Sequence, residues 1–315
     1  MKISNQIILK TAGILIIGLF MFSVNVFSQK QQPVQPKGYT CYGKLANGVP
    51  NAQKLGWKVG IQAYTFHKFT FFEAIDMTAA LGLNYIEGVA GMPLCPGSDV
   101  KFGHGMPQEW KDKLKQKLQE AGIENVSYFQ WMNGSGDEFE DIAKFAKEMN
   151  LMIVTDPKRV PVGGKSPEFY DEICKKYGVT LVFTNHRKPI AYWNPEFALE
   201  DTKGRSKYIG ASVDIGHYMR DEFDPLPIVK KFVEAGRMYH FHMRDVSERT
   251  KDGYDVPLGE GQGKIREIFQ VLYDNDVKPI IMMEYEKDFY NHMLELIPSV
   301  NYINKVCGEM LGESN

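Results

Sequence analysis

The stretch Ile209–Asp245 decides the fold: IGASVDIGHYMRD over 209–221, a helix-like run, then YHFHMRD over 239–245. Two short apolar runs, Ile209–Val213 and Met238–Phe241, each end in a cluster of Asp and His. A strand alternates its side chains between two faces, so His240, His242 and Arg244 share one face while Met243 and Asp245 take the other. Imidazoles and a carboxylate gathered at strand ends are the raw material of a divalent metal site. The competing reading is a pair of hydrogen-bonded core histidines with a helix-capping Asp214. A third apolar run that closes on MMEYE at 282–286 favours the metal.

Working outward, apolar strand-like runs alternate with amphipathic helix-like runs. Strands are expected at 58–66, 84–89, 126–132, 151–155, 179–183, 209–213, 238–242 and 278–284. Helices are expected at 71–81, 108–121, 138–149, 166–177, 226–235, 265–274 and 293–310, several stopped by Gly82, Gly122 or Gly178. The segment from 184 to Tyr208 is poorly patterned. Eight strand-then-helix units without hairpin signals imply a parallel sheet closed into a (β/α)8 TIM barrel. An open doubly wound sheet lacks its dinucleotide fingerprint, because the first strand leads into Tyr64-Thr65-Phe66-His67.

Before the barrel, Lys2 and Lys10 precede an apolar run from Ile14 to Phe22, and Ser28 precedes Gln29. This is the pattern of a signal peptide over 1–28, which implies an exported, periplasmic protein rather than a retained anchor. The run is short for a membrane span, so no stable membrane insertion is expected after cleavage. Residues 29–56, rich in Gln, Pro, Gly and Asn, read as an irregular arm, and 57–315 as the barrel. The whole chain carries a net charge of −2, and its leader contributes two Lys and no acid, which argues against a nucleic-acid partner. The four cysteines show no CxxC spacing; Cys41 and Cys95 are the pair that export would oxidise, while Cys174 and Cys307 suit apolar helix faces. Nothing in the sequence fixes the oligomeric state.

The C-terminal strand ends of such a barrel form its active face. They carry His67, Glu87, Gln130, Asn133, Asp156, Lys158, Asn185, His186, Asp214, His217, His240, His242, Arg244, Glu284 and Glu286; the opposite ends carry few such groups. Asp214, His242 and Glu284 end consecutive strands, and His186 beside them is a candidate fourth ligand. Two carboxylates with imidazole suit Mn²⁺, Co²⁺, Zn²⁺ or Mg²⁺. His67, Asn185 and His240 are candidate substrate contacts.

VDIGH at 213–217, HFHMRD at 240–245, PLGEGQGKI at 257–265 and MMEYE at 282–286, with YIEG at 85–88 and FTNH at 183–186, resemble the xylose-isomerase-like sugar isomerase/epimerase superfamily, in its exported branch. The resemblance spans about 57–305. It implies a metal-dependent barrel acting on a carbohydrate, with Asp214, His242 and Glu284 matching metal ligands and His217 a histidine that contacts substrate. Arg244 stands where relatives often carry Lys, so it is expected to grip a substrate oxygen. One departure matters: the fifth-strand glutamate of the ketose 3-epimerases is replaced here by Val182.

The shared chemistry is removal of a proton next to a carbonyl, with a metal stabilising the enediolate. Glu87, Lys158 and His217 are the candidate bases, Glu87 first. Reprotonation elsewhere would give an isomerase or epimerase. Loss of a leaving group would give a lyase, for example on 3-keto-glycosides, and the missing fifth-strand base leans that way. Gly259-Glu260-Gly261-Gln262-Gly263 is the nearest thing to a phosphate cradle, and its Glu suits phosphate badly; the expected substrate is an unphosphorylated sugar or glycoside. A barrel that binds metal and sugar without turnover is the alternative of another class.

Overall fold

The computed structural model describes residues 43–132, 136–159, 164–190 and 192–313. The signal-peptide expectation, Asn133 and the proposed Cys41 partner of Cys95 lie outside these residues. The strands are β1 (Lys58–Gln62), β2 (Tyr85–Val89), β3 (Glu124–Phe129), β4 (Met152–Thr155), β5 (Leu181–Thr184), β6 (Ile209–Asp214), β7 (Met238–Met243), β8 (Asp245–Val246), β9 (Asp255–Val256) and β10 (Ile280–Met283). β1 to β7 and β10 close a parallel barrel in which each strand pairs its neighbour in this order, and β10 returns to β1. The strands are buried on both faces because one packs on the barrel interior and the other on helices.

The helices form where periodicity and caps agree. Thr70 and Glu73 make a reciprocal capping box at the start of Phe71–Ala80. Ser166, Asn194 and Asp224 each cap a helix that opens with proline. Gly122 and Gly178 end theirs in the left-handed conformation. Ile265–Asp274 buries Ile265, Ile268, Phe269 and Leu272, which share one helical face. Each such side chain contributes about 1.5–3 kcal/mol by leaving water.

Four expectations need correction. The first strand stops at Gln62, whose side chain accepts from the Tyr64 N–H and turns Ala63–Phe66 into a 3₁₀ turn. The segment after β5 contains a helix, Pro195–Thr202. The arm is not irregular to its end: Pro50–Lys54 is helical, Val49 and Ala52 are buried, and Asn51 bonds Asn304 of the last helix. A small antiparallel pairing, β8 with β9, follows β7 where no hairpin was expected.

Candidate metal centre and catalytic site

Register builds the site. Asp214 at the end of β6 pairs directly with His242 on β7, and His242 pairs with Met282 on β10. Glu284, two residues past Met282, therefore rises on the same face, and its N–H bonds the Met243 carbonyl. His242 Nδ1 lies 4.0 Å from Asp214 Oδ2 and 3.8 Å from Glu284 Oε2. One ligand atom from each of the three falls within 4.8 Å of the others. A cation with bonds of about 2.0–2.2 Å fits that spacing.

Asp214 caps a helix and still leaves one oxygen for a ligand role. Its Oδ1 accepts the His217 N–H at 2.7 Å and starts the helix Ile215–Arg220, while its buried Oδ2 has no hydrogen-bond partner. A buried carboxylate oxygen without a partner is costly unless a cation or donor meets it. Burial, with the Glu286 and Asp214 carboxylates, holds the Glu284 carboxyl well above its ordinary range although Arg244 pulls it down. Surplus negative charge in a buried site is the condition a divalent ion relieves. The residues fit the metal.

Several candidates take other roles. Glu87 is buried inside the barrel with Oε1 at 2.6 Å from His242 Nε2 and Oε2 at 2.9 Å from His240 Nε2. Burial alone would raise its carboxyl; the two imidazoles reverse that and hold it well below the carboxylate range. It is not a free base at the rim. His240, fully buried with Nδ1 at 2.8 Å from Ser212 Oγ, sits beneath the site rather than against substrate. Asn185 spends its amide on the Asp214 backbone, accepting its N–H at 2.7 Å and donating to its carbonyl at 2.9 Å; it fixes Asp214.

Arg244 is likewise buried, not reaching for substrate. Its guanidinium lies 2.9 Å from Glu286, 3.0 Å from Asp255, and 3.5 Å from both Asp214 and Glu284. Asp255, which sequence reasoning did not single out, also pairs with Arg220; despite burial these two arginines hold its carboxyl low. Lys158 is exposed and absent from the cavity wall. His67 stacks on Tyr64 and meets Phe289 edge-on, outside that wall.

The cavity over the trio measures about 300 Å³. His186 and His217 line one side, their ring centroids 4.0 Å apart, and Trp131 meets His186 edge-on. His186 is outside the ligand group. Its Nδ1 accepts the Arg187 N–H at 3.0 Å, so its neutral ring carries the proton on Nε2 and offers a donor. Burial, Arg244 and His186 hold His217 well below the usual imidazole range, so it is neutral at neutral pH. Of the aromatic residues near the C-terminal strand ends, Tyr64 and Trp131 face the cavity, while Phe66, Tyr128, Tyr192 and Tyr218 are core.

The glycine-rich loop is already filled. Gly259, Gly261 and Gly263 donate their N–H groups to the Asp245 carboxylate at 2.9, 3.0 and 2.8 Å. A Cβ on Gly261 would stand 2.3 Å from Asp245 Oδ1, so glycine is needed for that close approach.

The family model described as xylose isomerase-like TIM barrel matches residues 75–300. An inosose dehydratase of Clostridium perfringens is 24% identical over 132 residues, covering 37% of this chain and 43% of the relative. The chain thus spans less than half the length of that curated relative. A D-tagatose 3-epimerase-like protein superposes with a TM-score of 0.60 at 18% identity, over 81% of this chain and 97% of its own. A xylose isomerase-like TIM barrel protein of Mycobacterium smegmatis, solved in complex with magnesium, gives 0.61 at 13% identity, over 81% and 98%. Both likenesses speak to the fold.

Proposed function

The chain belongs to the xylose isomerase-like TIM barrel family, and within it we propose a divalent-metal-dependent lyase. It removes a proton beside a carbonyl of an unphosphorylated keto-sugar or keto-cyclitol and expels a hydroxyl or glycosidic oxygen from the next carbon. The observation that carries this is the distribution of groups around the cavity. Its carboxylates, Asp214, Glu284 and Glu286, all come from β6 or from the segment after β10. The β5 side offers Thr184, Asn185 and His186, with no carboxylate. Two opposed carboxylate bases, which a symmetrical epimerisation requires, are absent from the described lining; one base and a nearby donor suffice for elimination.

A divalent cation held by Asp214, His242 and Glu284 would polarise the substrate carbonyl and offset the charge left by the departing proton. His217, neutral and at the cavity wall, accepts the carbon-bound proton. His186 presents Nε2–H to the leaving oxygen. Trp131 and Tyr64 supply apolar faces for a sugar ring. The filled glycine loop supports a substrate without phosphate. Inosose dehydratase, a relative by sequence, is named for a dehydration, which supports the same direction. Export to the periplasm, from the basic and apolar leader, is part of the proposal; the N-terminal mass of the mature protein tests it.

Incubation with Mn²⁺ and 3-keto-glucosides or inososes in D₂O, followed by NMR, tests the reaction. Release of an aglycone or water with formation of an unsaturated ketone is expected. An inverted sugar carrying deuterium would replace the lyase with an epimerase, and no exchange with any substrate would leave a binding barrel.

A further inference from the structure

Beneath the cavity the barrel interior holds a polar chain rather than an apolar plug. Thr184 Oγ1 donates to Ser212 Oγ at 3.3 Å, and Ser212 Oγ lies 2.8 Å from His240 Nδ1. His242 Nε2 is hydrogen-bonded to Glu87 Oε1 at 2.6 Å, and His240 Nε2 lies 2.9 Å from Oε2, close but outside hydrogen-bond geometry. Glu87, His240 and Ser212 are at most 1% exposed. A carboxylate accepts only; two imidazole nitrogens facing it must both carry protons. His240 Nδ1 is then a lone pair and takes the Ser212 hydroxyl proton. A neutral His242 then has its lone pair on Nδ1, the nitrogen that lies 4.0 Å from Asp214 and 3.8 Å from Glu284. This arrangement of protons gives each described atom of the chain a hydrogen-bond partner except Glu87 Oε2 and His240 Nε2, which sit 2.9 Å apart out of line.

We infer that Glu87 is a positioning residue: through the hydrogen bond of its Oε1, it fixes His242 in the Nε2–H form, with the Nδ1 lone pair aimed into the cavity. Its value to the reaction rests on the metal reading above, because a carboxylate behind a ligating imidazole sets the ring's orientation and raises its basicity. The assignment of protons itself does not. Glutamine at this position cannot serve both rings as acceptor: its NH₂ would face an N–H. Either His240 or His242 then turns its proton around, and the ring that keeps its proton on Nε2 meets a neutral, weaker acceptor.

The test has two arms. In the first, ¹⁵N-histidine-labelled wild-type protein, stripped of metal at neutral pH, is examined by long-range ¹H–¹⁵N correlation, with His242 assigned by its loss in His242→Asn. The expected result is a protonated Nε2 and a bare Nδ1; a proton on Nδ1 overturns the inference. In the second, Mn²⁺ is titrated into wild type, Glu87→Gln and Glu87→Asp, with thermal melts verifying the fold. Glu87→Gln is expected to weaken Mn²⁺ binding by about 10–100-fold, with Glu87→Asp partly restoring it. Equal affinity in Glu87→Gln and wild type overturns the inference. If Glu87→Gln does not fold, the first arm decides alone. A wild type that shows the Nε2–H ring yet takes up no Mn²⁺ counts against the proposed function and leaves the role of Glu87 standing.

Discussion

The two mouths of the barrel are built from the same strands and differ in what they can do. At the N-terminal end a hollow of about 380 Å³ is lined by Met152, Thr180, Met238, Tyr239, Val277 and Ile280 among others. At the C-terminal end the cavity is smaller, about 300 Å³, and holds Asp214, His217, His242, Glu284 and Glu286. Size does not mark the site; the convergence of buried charge does. A strand's first residues meet the preceding loop and pack, whereas its last residues launch the loops that carry function. Met238 and His242 lie four residues apart on β7, one in each mouth, so mutations along one strand can break the two ends separately.

The largest effect is expected from His242→Ala. Metal content after purification without added ions should fall from one equivalent to a trace, read by plasma mass spectrometry. The melting temperature should fall as well, because the buried Glu87 loses its donor at 2.6 Å, so metal content is compared on folded protein. Next, His217→Ala should keep its metal while deuterium exchange slows by about 10²–10⁴-fold, the usual range for loss of a general base. At the other mouth, Met238→Ala should cost about 2–5 kcal/mol in chemical denaturation by opening a cavity. Mn²⁺ affinity and exchange measured on its folded fraction should match wild type. Loss of metal there would erase the distinction between the ends.

A smaller, pH-dependent effect belongs to Asp156, just past β4 and away from the cavity wall. Burial pushes its carboxyl up to about 7, against 3.8 for the group unperturbed. A raised acid pKa means the folded state holds a proton that the unfolded state releases. The cost is therefore absent below 3.8, grows as pH rises toward 7 and is complete above it. Asp156→Asn should gain a few kcal/mol over wild type at pH 8, and the gain should vanish at pH 4; denaturation at the two pH values checks this.

Much of this was legible in the sequence. The alternation of apolar runs marks all eight barrel strands, and the helices at 108–121, 265–274 and 293–310 have the bounds their periodicity predicts. Asp214, His242 and Glu284 stand out because consecutive strand ends must be neighbours in a closed barrel. The depth of a side chain was not legible. Glu87, His240 and Arg244 carry the right chemistry at the right strands, but alternation gives the face and not the level. Only coordinates place them below or behind the cavity. Asp255 escaped because it sits in the β8–β9 excursion, which follows no strand or helix period. Asn185 looks like a substrate contact until its two bonds to the Asp214 backbone are seen.

One cation shared by three strand ends would show itself by anomalous diffraction from crystals soaked in Mn²⁺. The account predicts a single strong peak about 2.0–2.3 Å from Asp214 Oδ2, His242 Nδ1 and a Glu284 carboxylate oxygen. A peak elsewhere, or no peak at a concentration that saturates binding in solution, would contradict it.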